Sequence, residues 1–316
     1  MTGILYHDDY LNHDAGWGHP ECPARVTVIK EGLEKAEFSE KLVWDKPRLA
    51  TKEEIALVHS EKYIDHVIAT CKAGPSFLDS PDTPVTVDSY NTALRAAGAV
   101  MTGIDGVIEG RYSNAFCPVR PPGHHCRYST SMGFCIFNNV TLGARYLKEK
   151  YNIRKILIVD FDVHHGNGTE EMLSGDNDIL FFSIHQHPHY PGTGFSTKVY
   201  SHSGGIFNYP VPPGTDESVY MKVFKGQLSD YVSMFEPEFI LISAGFDAHR
   251  DDPIADINLT SESYYNLTKQ ITLFADIHCD GKIVSTLEGG YHLDSLRESA
   301  VCHVKSLVEA GGQGPV

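Results

Sequence analysis

The chain has 316 residues, of which 41% are hydrophobic and 21% are charged, an ordinary composition for a globular protein. Its 26 Lys and Arg residues are outnumbered by 41 Asp and Glu, so the formal net charge is −15. This balance disfavours nucleic acid as a partner, because phosphate binding needs basic surfaces, and it weakly favours cationic substrates. No apolar run of about 18 residues and no leader pattern occurs, so we expect neither a membrane partner nor a secretion signal.

Seven cysteines occur along the chain without a Cys-x-x-Cys pair. An odd number of scattered cysteines in a chain of this length indicates reduced thiols rather than a disulfide framework or a cysteine-bound structural zinc. We therefore expect a cytoplasmic protein.

Six short runs rich in Ile, Val, Leu and Phe predict strands. Their continuous apolarity, without alternation, is typical of strands buried on both faces of a parallel sheet. The runs are residues 3–6, 114–119, 155–162, 178–184, 238–245 and 282–288.

Helical spacing between these runs predicts six helices. Thr51 and Glu54 fit a capping box for the first, and Asp88 is a candidate N-cap for the second. Gly281 and Gly311 follow the last two, as expected near helix C-termini. The predicted helices are 52–72, 88–109, 135–150, 216–235, 261–279 and 293–309. Alternation of strands and helices predicts one α/β domain over residues 1–316, with a mostly parallel sheet.

Almost every predicted strand is followed by a polar cluster. The clusters read HDDY, RPPGHH, DFDVHHGNG, HQHPHY, FDAHRDD and GGYH in chain order. Ligands of open parallel sheets bind at the carboxyl ends of the strands. We therefore expect the six clusters to meet at one edge of the sheet and to form a functional site.

Three residues of these clusters predict a metal site. Asp162 and His164 stand at i and i+2, so on a strand end they point to one side, and Asp247 can supply a third ligand from another loop. Two carboxylates and one imidazole suit a catalytic Zn²⁺ with an open position, and Fe²⁺ or Mn²⁺ is also compatible. Helix caps and an ordinary buried histidine are the alternative, which this density of Asp and His disfavours.

The adjacent His124 and His125 favour acid–base chemistry, because two neighbouring imidazoles on an extended segment do not readily bind the same ion. Asp160 and Asn167 are available to fix their tautomers. A turn with incidental histidines is the alternative.

Tyr291 follows two glycines that permit a tight turn, from which its phenol can stabilise an oxyanion. Packing in the turn is an equally good interpretation of this tyrosine. Phe134 and Tyr190 can wall an apolar channel, although aromatic residues more often belong to the core.

Taken together, these motifs resemble the histone deacetylase family. The matching segments read HPECPARV, RPPGHH, GFCIFNN, VDFDVHHGNGT, SIHQHPHYPGTG, SAGFDAHRDDP and LEGGYHL, in that order over nearly the whole chain. The resemblance implies the arginase–deacetylase α/β fold, with about eight strands in the sheet and helices on both faces. Asn167 and the LEGGY form are similar to class II enzymes and their bacterial relatives, whereas class I members usually have Asp at the Asn167 position.

The resemblance also implies roles for the matched residues. Asp162, His164 and Asp247 match the zinc ligands. His125 matches the principal general base and then acid, with Asn167 beside it. His124 matches a tuning histidine whose partner is Asp160. Tyr291 matches the catalytic tyrosine that polarises the substrate carbonyl.

Further matches concern the channel and a second ion. Gly133, Phe134 and Tyr190 match the acyl-lysine tunnel, where the family often has Phe in place of Tyr190. Asp82 matches a rim residue that holds the substrate backbone, and Arg25 matches an arginine of the internal pocket from which acetate leaves. The matched residues of a structural potassium site are Asp160, Asp162, His164 and Ser183.

The implied reaction is zinc-dependent hydrolysis of an N-acyl amide, most simply of acetyl-lysine in proteins or peptides. Polyamine-selective relatives often carry Glu where this chain has Ile254, so the resemblance favours acetyl-lysine or neutral acylamides over acetylpolyamines. Two other interpretations stay open. One is ureohydrolase chemistry on two Mn²⁺ ions, and the other is an acyl-lysine-binding scaffold with weak activity.

Overall fold

The computed structural model describes residues 1–195, 197–199 and 203–311, so the last five residues of the predicted domain lie outside the described part. The described strands are β1 (Thr2–Leu5), β2 (Leu42–Asp45), β3 (Ser76–Phe77), β4 (Pro84–Val85), β5 (Asn114–Cys117), β6 (Ile156–Asp160), β7 (Ile179–Gln186), β8 (Lys198–Val199), β9 (Gly205–Val211), β10 (Phe239–Ala244) and β11 (Ile283–Leu287). The α-helices are α1 (Ala24–Glu34), α2 (Lys52–Ile55), α3 (Glu61–Lys72), α4 (Ser89–Ile108), α5 (Asn139–Tyr151), α6 (Asn167–Leu173), α7 (Glu217–Val223), α8 (Ser229–Phe235), α9 (Ser261–His278) and α10 (Leu293–Ala310).

One large sheet has the strand order β2-β1-β5-β11-β10-β6-β7-β9-β8. All neighbours in it run parallel except β8, which pairs antiparallel with β9 at the edge. The strands β3 and β4 form a separate short hairpin. The predicted α/β fold with about eight parallel strands is therefore confirmed.

Helices cover both faces of the sheet, as two contacts on β11 show. Ser285 Oγ lies 2.9 Å from Nε2 of His303 on α10. A Cβ atom on Gly103 of α4 would lie 3.2 Å from the neighbouring Val284 side chain. Because successive residues of a strand point to opposite faces, α10 and α4 lie on opposite sides of the sheet. The strands are buried between these layers, which explains their unbroken apolar sequences.

Each of the six predicted strands overlaps a strand of the sheet, but several elements were not predicted. The edge strand β2 is short and only its Leu42 is buried. The strand β9 contains Pro210, which argues against a strand in sequence. The helix α1 begins with the β-branched run 26–29, whose local preference is for strands. The short helix α6, which begins inside the DFDVHHGNG cluster, is also absent from the predicted helices.

The predicted helix 52–72 is wrong, since it is two helices. The Thr51–Glu54 capping box forms as expected, but α2 ends at Ile55. Ser60 then accepts a hydrogen bond from the Tyr63 N–H and caps α3. A serine side chain that caps a new helix interrupts the preceding one, and the spacing of apolar residues does not reveal this.

Other helix boundaries also differ from the prediction. The predicted helix 216–235 is broken around Gly226, whose backbone is not helical. The predicted helix 135–150 begins only at Asn139, because the Asn138 side chain caps it by accepting from the Thr141 N–H. Asp88 precedes α4 but makes no capping hydrogen bond through its side chain. Gly281 follows α9 in a left-handed conformation, as expected, and its N–H donates to Ala275 O.

No helix in the described part of the chain is long and apolar enough to cross a bilayer. All seven cysteines are free.

Candidate active site at the strand ends

The segments that follow five adjacent strands, β5, β11, β10, β6 and β7, meet around one cavity of about 200 Å³. The lining residues are Asp82, Pro122, His124, His125, Gly133, Phe134, His164, His189, Tyr190, Ile254, Gly289 and Tyr291. The sixth predicted cluster, HDDY after β1, does not line this cavity. There His7 caps the short 3-10 helix Asp8–Asn12, and Asp9 forms an ion pair with Arg95.

Asp162, His164 and Asp247, called here the metal triad, converge at the base of the cavity. Nδ1 of His164 lies 3.0 Å from Asp162 Oδ1 and 3.1 Å from Asp247 Oδ2. One ligand atom from each residue lies within 4.8 Å of the others, and all three residues are buried. In the described part of the chain, no other three His, Cys, Asp or Glu residues come together in this way.

The chemistry around the metal triad fits a divalent cation. Only imidazoles lie within ion-pair distance of its two buried carboxylates among the described residues. Burying two neighbouring carboxylates is costly, and a bound metal ion offsets that cost. Backbone N–H groups of Val163 and Gly289 hold the outer oxygens of Asp247 and Asp162, at 2.9 and 2.8 Å.

Two glycines leave room at these carboxylates. A Cβ atom on Gly289 would lie 1.9 Å from Asp247 Oδ2, and one on Gly245 would lie 2.1 Å from Asp162 Oδ2. Any other residue at these positions would push against the metal triad. The space that a cation needs is therefore kept by the absence of two side chains.

His124 and His125, called here the histidine pair, lie beside the metal triad with their ring centroids 4.0 Å apart. His124 Nδ1 is 2.9 Å from Asp160 Oδ2, and His125 Nδ1 is 2.8 Å from Asn167 Oδ1. An amide oxygen only accepts hydrogen bonds, so His125 carries its proton on Nδ1 and leaves Nε2 with the free lone pair. The structure thus brings each histidine together with the partner predicted for it.

The surroundings of the two histidines shift their pKa values in opposite directions. Burial alone would lower the pKa of His124, but the carboxylates of Asp160 and Asp162 outweigh it and raise the pKa to about 10. Burial, together with the charges of His124 and His164, lowers the pKa of His125 well below its ordinary value. Near neutral pH, His125 is therefore a neutral base beside a more basic neighbour.

Tyr291 lies across the cavity with its ring packed between two side chains. The Arg25 guanidinium carbon is 4.9 Å from the ring centroid, and the Phe134 ring is 5.8 Å away, edge to face. Burial raises the pKa of Tyr291 well above its ordinary value, against the opposing charge of Arg25. The phenol stays protonated at neutral pH and can donate a hydrogen bond into the cavity.

Gly133, Phe134 and Tyr190 form a wall of the cavity and do not belong to the core. Gly133 and Phe134 have positive φ angles of 56° and 66°. A Cβ atom on Gly133 would lie 2.3 Å from the His125 ring, so only glycine fits there. Tyr190 is 38% exposed, and its ring centroid is 5.1 Å from that of His125.

Asp82 lies at the mouth of the cavity, in the loop of the β3–β4 hairpin. Its Oδ2 accepts a hydrogen bond from the Gly133 N–H at 3.2 Å and a long one from the Tyr190 hydroxyl at 3.5 Å. Asp82 therefore braces the cavity wall of its own chain. Ile254 also lines the cavity and contributes an apolar surface.

Arg25 is fully buried behind Tyr291. Its guanidinium donates to Gly290 O at 2.7 Å, to Glu288 O and to Glu21 Oε1 at 3.0 Å. Glu21 also receives Arg120 in a buried ion pair. These two arginines and one glutamate leave one excess positive charge beneath the cavity.

The residues matched to a potassium site lie on β6 and β7 and in the segment that follows β6. Asp160 and Ser183 are direct neighbours across the parallel pair. The Ser183 hydroxyl lies 3.0 Å from His185 Nδ1, and the Asp162 N–H donates to Asp160 Oδ1 at 3.1 Å. His165 lies 2.8 Å from Thr193 Oγ1 and pairs with Glu170.

Sequence reasoning missed three residues of the site. The buried carboxylate of Glu288 accepts from the N–H groups of Gly123 and His124, at 2.7 and 3.1 Å, and so holds the histidine pair. Asp252 accepts from the Tyr291 N–H at 2.7 Å. His189 lines the cavity with its ring centroid 5.0 Å from that of His164. The polar clusters contain Asp252 and His189, but nothing in their spacing separates them from their neighbours.

Comparison with known proteins agrees with this geometry. The family model described as "Histone deacetylase domain" matches residues 19–307. A "Probable deacetylase" of Archaeoglobus fulgidus is 38% identical over 93% of this chain and 82% of its own length. "Polyamine deacetylase HDAC10" of Mus musculus is 34% identical over 97% of this chain and 48% of its own length. The crystal structure of the HDA15 HD domain superposes with a TM-score of 0.89 at 34% identity, covering 98% of this chain and 89% of that one.

The fold and the site therefore define a hydrolase of linear amides. The chain belongs to the histone deacetylase family, and its activity is that of a deacetylase.

Proposed function

We propose that this chain is a zinc-dependent deacetylase whose preferred substrate is acetyl-lysine in proteins or peptides, releasing acetate and a free amine. The observation that carries the proposal is the meeting of three groups at one cavity. These are the metal triad, the histidine pair and the Tyr291 phenol, all of which lie at the base or on the wall of a cavity of about 200 Å³.

Asp162, His164 and Asp247 would hold the metal ion through two carboxylate oxygens and one imidazole nitrogen, a set that suits Zn²⁺. When bound, such an ion lowers the pKa of water and polarises the amide carbonyl. The residues around it supply the proton transfers and the hydrogen bonds.

His125 is the general base in this proposal, because its Nε2 keeps a lone pair at neutral pH while Asn167 fixes the tautomer. It accepts a proton from the attacking water and then delivers one to the leaving amine. His124, held by Asp160, supplies positive charge beside the reaction. Tyr291 donates its O–H to the carbonyl oxygen as negative charge develops there.

The residues at the mouth of the cavity favour acetyl-lysine or a neutral acylamide as the substrate. Ile254 offers only apolar contact, where a carboxylate would attract a cationic chain. Tyr190 makes the wall slightly more polar than a phenylalanine would. Acetylpolyamines are the alternative substrate class, because the mouse relative is named a polyamine deacetylase, and small acylamides are a further alternative.

The two rival activities are less well supported. A two-manganese ureohydrolase needs further bridging carboxylates, and the described residues form a single three-residue metal group. A weakly active acyl-lysine-binding scaffold would be expected to lack a ligand or the tyrosine, and this chain has all of them.

Several finer points belong to the same proposal. We propose a class II-like enzyme on the strength of Asn167, a structural K⁺ near Asp160 and Ser183, and a single catalytic domain over residues 1–316. A cytoplasmic location is proposed from the free cysteines.

The test is a panel of substrates with metal control. The purified protein is stripped with a chelator, refilled with one equivalent of Zn²⁺, and assayed on acetyl-lysine peptides, acetylspermidine, trifluoroacetyl-lysine and small acylamides, with and without a hydroxamate. We expect zinc to restore turnover and acetyl-lysine peptides to have the highest kcat/KM. No amide turnover with zinc, or a requirement for two Mn²⁺ per chain, would refute the proposal; a preference for acetylspermidine would refute its substrate part.

A further inference from the structure

Tyr291 is attached to a backbone that has little stiffness of its own. It follows Gly289 and Gly290, and Gly290 has a φ of +117° that other residues rarely adopt. A phenol that donates to a developing oxyanion needs a backbone held in one position, because small displacements of a catalytic group reduce rates steeply. Something outside this turn therefore has to fix the backbone of Tyr291.

Arg25 donates to the Gly290 carbonyl of this turn, and one buried carboxylate accepts from the Tyr291 N–H itself. Asp252, in the loop after β10, is only 6% exposed. Its Oδ2 accepts from the Tyr291 N–H at 2.7 Å and from the His292 N–H at 3.4 Å. Its Oδ1 accepts from the Ile254 N–H at 3.1 Å.

The burial of the Asp252 carboxylate is not explained by an ion pair. In the described part of the chain, no Lys, Arg or His nitrogen lies within 4.0 Å of its carboxylate, and the hydrogen bonds it accepts all come from the backbone. Two loops that line the cavity, one with Ile254 and the other with Tyr291, are thus joined by a single side chain. The neighbouring Asp251 differs completely, since its side chain is 54% exposed and lies beside His249.

We propose that Asp252 is a positioning residue for the deacetylation reaction, which fixes the Tyr291 backbone so that the phenol meets the substrate carbonyl. The inference rests on the proposed function, because it takes Tyr291 as the oxyanion donor. Asp252 touches neither substrate nor metal in this role and acts only through Tyr291.

Asp252→Asn tests the role with almost no change in shape. Asparagine has one accepting oxygen where aspartate has two, so either the Tyr291 or the Ile254 N–H loses its acceptor. We expect kcat on an acetyl-lysine peptide to fall about tenfold with KM within about twofold, less than the loss expected when the hydroxyl itself is removed. Asp251→Asn is the matched control and should leave kcat, KM and Tm unchanged.

The decisive measurement is the double variant Asp252→Asn with Tyr291→Phe. If Asp252 acts through the phenol, the double variant should be no slower than Tyr291→Phe alone, within about twofold. A further tenfold loss in the double variant would overturn the proposal, because it would show an effect independent of the hydroxyl. So would wild-type kcat in Asp252→Asn.

Bound zinc and Tm are measured for every variant, so that lost metal or lost folding is seen directly. If Asp252→Asn does not fold, Asp252→Glu carries the same test, because it keeps the charge and displaces the acceptor by one methylene. A wild-type protein that is inactive on every amide would sink the proposed function and this inference with it. An active wild type with an unaltered Asp252→Asn would sink the inference alone.

Discussion

The base and the mouth of the cavity are built differently. At the base, the metal triad and the histidine pair are buried, and every one of these side chains has a partner within about hydrogen-bonding distance. At the mouth, Tyr190 and Ile254 are partly exposed and belong to loops. The side chains at the base of the cavity are buried and held by several contacts each, whereas those at the mouth are partly exposed. Substitutions at the base of the cavity should therefore abolish the reaction, and substitutions at the mouth should alter substrate choice.

The largest expected effect comes from the base. Asp247→Ala removes one of the three proposed metal ligands and leaves the Val163 N–H without its acceptor. Changes in the outer partners of a metal site already cost about 10–100-fold, so loss of a ligand should reduce turnover by at least about a thousandfold. Zinc analysis should find far less than one ion per chain. Full zinc content together with wild-type turnover would show that Asp247 is not a ligand.

Tyr291→Phe should have the next largest effect. Loss of one oxyanion donor typically costs about a hundredfold or more in kcat, and KM and bound zinc should not change. Tyr128→Phe is a matched control, since this tyrosine is exposed and does not line the cavity. Near-normal turnover of Tyr291→Phe on acetyl-lysine peptides would remove the phenol from the mechanism.

Asn167→Asp should shift the pH dependence of kcat/KM, because it changes the partner of His125, the proposed general base. In the wild type, burial keeps the pKa of His125 well below its ordinary value, so its neutral form persists as the pH falls and kcat/KM should decline only at acid pH. A carboxylate beside Nδ1 stabilises the imidazolium and raises the pKa of His125. The acid limb of the kcat/KM profile should therefore move to higher pH, with a loss that grows as the pH falls and little change at pH 8.5. A profile that does not move would mean that His125 is not the titrating base.

At the mouth, Ile254→Glu should change preference and leave the chemistry intact. A carboxylate there attracts a cationic chain, and a partly exposed ion pair is worth about 1 kcal/mol, or roughly fivefold. The ratio of kcat/KM for acetylspermidine to that for a neutral acetyl-lysine peptide should rise by about this factor, and high salt should reduce the gain. Ile254→Gln is the neutral control of similar size. An equal shift in the glutamine variant would assign the effect to shape and not to charge.

The metal triad could be predicted from the sequence, whereas the partners of the histidine pair could not be predicted from spacing alone. Residues that directly follow buried parallel strands must meet at one sheet edge, so the convergence of Asp162, His164 and Asp247 could be expected from their positions alone. The pairing of Asp160 with His124 and of Asn167 with His125 required the resemblance, because the spacing indicated only that partners were available.

The positions of Glu288, Asp252 and His189 in the site could not be predicted in this way. Glu288 ends an apolar strand, and its three-way contact with Gly123, His124 and Ser243 exists only after distant strands pair. The mistaken elements have a similar cause. Local preference favours a strand at 26–29 and argues against one around Pro210, and in both places packing against the sheet outweighs it.

The two glycines that press against the metal triad have a practical consequence for anyone wishing to change what this protein cleaves. A combinatorial library that randomised Gly245 or Gly289 would consist almost entirely of dead clones, because even one added carbon would collide with a carboxylate oxygen. Diversity is better placed at Tyr190 and Ile254, where larger, smaller or charged side chains can be accommodated. Positions that tolerate substitution and positions that do not thus lie at the mouth and at the base of the same cavity.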